Sequence, residues 1–259
     1  MSVEALLYVN WIFWAALAAG TIAVVGLTEL AGGTTRGYRL FMAWLGVVLG
    51  ALVVASELAL PGDVVLASTA ELRRPLSIAF AAGCVAYLVT LLARRPGGPL
   101  AVGTGSAGMT ALLVLAAGGG TFSPPLFAVQ LLLSSVALGA VNAAMLLGHW
   151  YLVTPKLSPA PLQRMMWLLV GSLGLQGILF AVALVSVPTD SLVGSLAWLA
   201  GLRLAVGIGL PLVAAWLAIV ASRGASLQAS TGLLYIGLAL VMAGSIAGVS
   251  LAYLTGVPV

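Results

Sequence analysis

The sequence predicts an all-α fold, a polytopic integral membrane bundle of eight transmembrane helices. Three observations predict it. Of 259 residues, 62% are hydrophobic and only 6% are charged, whereas a soluble domain carries about 25% charged residues. Mean hydropathy is +1.21, so too little polar surface exists to cover a globule in water. Nearly all charges fall in the gaps between eight apolar stretches, and a helix crossing the hydrocarbon core needs about 20 apolar residues.

The first stretch, 5–31, has no basic flank and exceeds the apolar core of a cleavable leader, so it reads as a helix of the mature protein. The second, 40–61, closes at Pro61-Gly62. The third, 76–93, ends in Arg94-Arg95-Pro96-Gly97-Gly98. The fourth, 99–118, is rich in Gly, Ser and Thr and stops at a glycine run. The fifth, 126–153, starts behind Pro124-Pro125 and stops before Pro155. The sixth, 165–187, meets Pro188; the seventh, 195–221, meets Arg223-Gly224; the eighth is 231–255. Gly and Pro punctuate each break. Residues 1–259 form a single transmembrane domain, and the longest connection, 62–75, holds Glu71, Arg73 and Arg74.

Charge sets the expected orientation. Arg36, Arg39, Arg94, Arg95, Lys156, Arg164 and Arg223 fall on one side, and Arg73 and Arg74 on the other. Basic residues accumulate on the cytoplasmic side of short loops. Both termini are therefore expected on the outer (periplasmic or extracellular) side of the cell inner (plasma) membrane. The net charge of +4 is a topology signal, with no nucleic-acid partner implied.

Polar residues within the spans are the functional candidates, because they are costly in lipid. Ser135, Asn142 and His149 recur every seven residues along the fifth span, which keeps them on one face with a drift of about 20° per step. His149, the one histidine, precedes Trp150 and Tyr151. With Glu29 at similar depth, His149, Tyr151 and Asn142 could form one quinone- or proton-handling site near the cytoplasmic face, histidine being able to cycle a proton near neutral pH. Arg203 lies inside the seventh span and needs a partner, for which Glu57 is the candidate; Pro211 should kink the same helix. Gln176 is expected to bond between helices and Asn10 to lie in an interfacial belt. The pairs Gly46/Gly50 and Gly244/Gly248 mark close helix contacts.

One histidine and one cysteine allow no bis-His haem, no iron–sulfur cluster and no disulfide held by this chain alone. There is no carboxylate cluster at metal spacing and no nucleophile or phosphate-loop motif, so no catalytic or metal-binding residue is assigned. Three functional expectations follow. The first is a membrane subunit of a respiratory or electron-transfer complex, partnered by lipid and by other membrane or peripheral subunits, with quinone at the His149 site. In hydropathy, and in no residue motif, the plan resembles the membrane subunits of bacterial quinone-coupled redox complexes. The second is a small proton-coupled transporter or permease using Glu57 and Arg203. The third is a scaffold or assembly factor without chemistry.

Overall fold

The computed structural model describes residues 3–61, 69–118, 123–154, 157–186, 194–224 and 226–259. Lys156, on which part of the charge count falls, lies outside them. Every regular element among the described residues is helical. Eight helices are long and apolar enough to cross a membrane: α1 (Val3–Leu30), α2 (Arg36–Leu58), α3 (Ala70–Leu92), α4 (Gly98–Ala117), α5 (Pro124–Val153), α6 (Ala160–Ser186), α7 (Ala197–Arg223) and α8 (Leu227–Thr255).

Several helices begin before the apolar runs do. α2 starts four residues early because Thr35 caps it, its hydroxyl accepting from Tyr38 N–H at 3.3 Å. α3 starts at Ala70 rather than 76, so the segment read as the end of a loop is helix and carries Arg73 into the bundle. A helix satisfies its own backbone whatever its side chains are. Polar first turns are therefore helical wherever those side chains find partners. Pro75 lies inside α3, near enough to its start that few backbone bonds are lost.

The helices form two rings of four with the same order of neighbours. In the first, α1 packs on α2, α2 on α3, α3 on α4 and α4 back on α1. In the second, α5 packs on α6, α6 on α7, α7 on α8 and α8 back on α5. The rings meet chiefly along α1 and α5. At their crossing, a Cβ added to Gly20 would strike the carbonyl of Ser135, and one added to Gly139 would strike the backbone of Gly20. Two backbones this close gain dispersion contact that lipid cannot supply. Beside the crossing, Asn142 Nδ2 donates to Thr21 Oγ1 at 3.0 Å, and Tyr38 OH donates to Ala143 O at 2.9 Å. α1 is thereby enclosed, with almost every residue from Tyr8 to Val25 buried.

The glycine pairs make their contacts within the chain. Gly46 and Gly50 face Ile22, Ala81 and the buried thiol of Cys84. Gly244 meets Gly207 backbone to backbone, closing α7 onto α8. α7 changes its hydrogen-bonding pattern just before Pro211. Leu202–Gly209 is a π-helical turn, closed where Leu210 N–H bonds Ala205 O. This wide turn ends two residues before the proline, whose ring opposes the ordinary helical bonding pattern.

Candidate functional site

The end of the bundle where α1 starts and α8 finishes, called end A below, contains one buried arginine in each ring. In the first ring this is Arg73 on α3, 1% exposed, beside Glu57 on α2, also 1% exposed. Arg73 Nε donates to both Glu57 oxygens at 3.1 and 3.2 Å, and Nη2 adds a bond of 3.1 Å. Nη1 donates to Thr69 Oγ1 at 2.7 Å, and Ser77 Oγ donates to Glu57 Oε2 at 3.3 Å. The guanidinium also lies over the rings of Tyr8 and Trp11 on α1, at 5.5 and 5.2 Å from their centroids. The charge is neutralised, hydrogen-bonded and aromatically covered. Tyr8 OH and Trp11 Nε1 themselves have no partner.

The second ring repeats the placement with different chemistry. Arg203 on α7 is 1% exposed and lies in the π-helical turn, six residues from the start of the helix, about 9 Å along its axis. Its Nη2 donates to Gln176 Oε1 on α6 at 2.7 Å. Nε donates to Val259 O at 3.2 Å, and Nη1 to Gly244 O at 3.3 Å. No Asp or Glu side chain among the described residues pairs with it. Gln176 stands where the first ring has Glu57, and its Nε2 reaches on to Leu133 O at 3.2 Å.

Next to Arg203 lies Gln130 on α5, fully buried, with neither amide oxygen nor amide nitrogen partnered. A Cβ on Gly248 would come within 2.8 Å of Arg203 Nε and 3.0 Å of Gln130 Nε2, so both side chains press on that one glycine. Ser134, one turn along α5, and Ser245, one turn from Gly248 on α8, also carry buried, unpartnered hydroxyls. Each unmet buried polar atom costs about 1–3 kcal/mol. The guanidinium and an unpartnered amide thus meet at one glycine, with two unpartnered serine hydroxyls one turn away along α5 and α8. Toward end A, a cavity of about 110 Å³ is lined by Ser123, Leu126, Leu179 and the segment Gly256–Pro258. Gly256, at φ +74°, turns this segment back into the bundle and leaves Val259 against Arg203. Val257 and Pro258 thus line the cavity, and Val259 beyond them accepts from the guanidinium.

No family model, curated protein or solved structure matches the chain. Its residues alone carry the functional reading.

The residues singled out in the sequence are largely dispersed. Glu57 and Arg203 do not pair; each belongs to a different ring, and Arg73, which the short reading of α3 left in a loop, takes the carboxylate. The quinone-site group does not assemble either. Glu29 accepts from Arg39 Nη1 at 2.6 Å, Tyr87 OH at 3.0 Å and Gly97 N at 3.0 Å. Asn142 serves the α1–α5 crossing. Tyr151 OH donates to Ser158 O at 2.8 Å. His149 is exposed on the outside of the bundle, 3.3 Å from Tyr235 OH through Nδ1. The heptad stripe is buried at Ser135 and Asn142 and leaves the interior at its third member. Gln176 bonds between helices as expected, and Asn10 accepts from Trp14 Nε1 at 3.2 Å on an exposed face. Gln130 was missed. Its signal was available: an amide in an apolar run, six residues inside the start of α5.

Proposed function

We propose that this chain is a membrane carrier for a small anionic solute, with Arg203, Gln176 and Gln130 as the binding group. The observation that supports it is a buried guanidinium paired with no Asp or Glu side chain among the described residues, and a fully buried, unpartnered amide against the same glycine. A solute carboxylate or similar anion would bring negative charge to the guanidinium and an acceptor for the Gln130 amide nitrogen; a neutral solute would bring no charge. The π-helical turn of α7 against the Gly207–Gly244 contact is the kind of interrupted helix that carriers use at their sites. Displacement of the 257–259 segment would open the short route from end A. Glu57 has no role in this reading, because its carboxylate is consumed by Arg73. The orientation proposed is that of the charge count, with the arginine-rich end cytoplasmic, end A outside and the inner (plasma) membrane as the location.

The test is uptake of radiolabelled small organic and inorganic anions into proteoliposomes, with Arg203→Gln alongside. Flux above that of empty vesicles, abolished by Arg203→Gln in a protein that still folds, is expected. No anion flux from folded wild-type protein sinks the proposal.

The outward-facing His149–Tyr235 pair favours a second reading, a redox-complex subunit offering a proton-cycling donor to a quinone or to a neighbouring subunit. Mild-detergent purification with a reduced-minus-oxidised spectrum separates the two. Copurifying cytochrome or quinone, lost with His149→Ala, favours redox; a colourless, solitary protein favours transport.

A further inference from the structure

The opposite end, end B, holds a different collection of positive charge. A cavity of about 220 Å³ is lined by Arg36 and Arg39 from the first turn of α2, and by Leu91, Arg94, Arg95 and Pro96 from the end of α3 and the turn beyond. Of the four guanidiniums only Arg39 has an acidic partner, Glu29. Arg36 Nη2 donates to Leu91 O at 3.1 Å. Arg39 Nε is buried and has no acceptor. Three positive charges around the cavity are therefore uncompensated among the described residues. The start of α2 adds its dipole, since its first turn contains no acidic residue.

The turn that presents Arg94 is built against its own side chain. Arg95 N bonds Thr90 O and Arg94 N bonds Leu91 O, both at 3.0 Å, the double closure that ends many helices with glycine in the left-handed position. Here Arg94 occupies that position at φ +59° and is the one non-glycine residue with positive φ among the described residues. A side chain there costs about 1–2 kcal/mol, so the turn alone would be better served by glycine.

We propose that this cavity binds a phosphate group, either of an anionic lipid headgroup or of a free phosphate compound. More than one uncompensated cation calls for more than one negative charge, and planar guanidiniums match phosphate oxygens in bidentate geometry. Basic pockets between transmembrane helices at a membrane surface take phosphorylated headgroups in this way. The site lies at the opposite end from Arg203 and does not depend on the carrier reading.

The full-length protein is tested in nanodiscs. Its unfolding midpoint is followed while phosphatidylglycerol replaces phosphatidylcholine, and separately while inorganic phosphate replaces chloride at constant ionic strength. Stabilisation by phosphatidylglycerol alone assigns the site to a lipid headgroup; stabilisation by inorganic phosphate as well assigns it to the phosphate group itself. Arg94→Gly keeps the turn, so its midpoint in neutral lipid should hold or rise while its apparent affinity for the anion falls about fivefold, as should that of Arg95→Gln. Arg223→Gln, at a residue that does not line the cavity and lies over Trp167, should leave affinity unchanged. The proposal is overturned if the wild type responds to neither anion, or if Arg223→Gln weakens the response as much as Arg94→Gly and Arg95→Gln do.

Discussion

Arg73 and Arg203 are equally buried, each near the start of the third helix of its ring, and each bonded to a residue of the second helix. The first has a carboxylate as partner and two aromatic faces over it. The second has an amide as partner and another amide, unpartnered, beside it. The same placement therefore serves two ends. A buried charge that is paired with a side-chain carboxylate and fully bonded acts as a clasp, whereas one held by an amide and two main-chain oxygens still has binding capacity. Two linked aromatic contacts run from the first cluster to α5, the helix of Gln130: Tyr253 stacks on Tyr8 at 6.5 Å and meets Phe127 edge-on at 6.4 Å.

The largest test of that contrast is Glu57→Gln. It keeps the shape and takes the Glu57 carboxylate away from Arg73, and should destabilise the protein by about 3–5 kcal/mol, read as denaturant unfolding in mixed micelles. Next in size is a pair of glycine substitutions. Gly244→Ala forces α7 from α8 beside Arg203 and should cost about 1–3 kcal/mol. Gly50→Ala, whose new methyl would meet Ala81 Cα at 3.1 Å, should cost less than about 1 kcal/mol in the same assay. Arg203→Gln should change stability by only about 1 kcal/mol in either direction, because losing the carbonyl contacts is offset by no longer burying a charge without an acidic partner. If it proves as damaging as Glu57→Gln, the two arginines are both clasps and the contrast is lost. The smallest effect is expected from Gln130→Leu, neutral or stabilising by about 1 kcal/mol while anion uptake drops. A clear loss of stability there would mean that the amide is satisfied in the membrane.

The eight helices were legible because lipid imposes a length and an apolar composition that few other structures share, and even the Gly- and Thr-rich α4 could be placed by its flanks. The ring pairing was not legible, since nothing in a span says which neighbour it faces. Arg73 shows the cost of reading helices by hydropathy alone. Glu71, Arg73, Arg74 and Pro75 look like loop, yet two consecutive antiparallel helices bring the end of one and the start of the next to the same depth, so the carboxylate of Glu57 had its partner sixteen residues on. The heptad on α5 was sound geometry for Ser135 and Asn142. It failed at His149 because a straight face cannot say where the surrounding helices stop covering it.

The enclosure of α1 also has a consequence for synthesis. Its closest approach, Gly20 against Ser135 and Gly139, joins residues about 120 positions apart. At about 5–20 residues per second, the ribosome delivers α5 roughly 6–24 s after the α1 crossing point emerges. For that interval a helix made for the interior of the bundle, with a bare glycine notch at its waist, must wait in lipid or in the insertion machinery. Variants that slow translation before α5 should therefore expose the newborn chain to quality-control proteases, even though the finished protein would be unchanged.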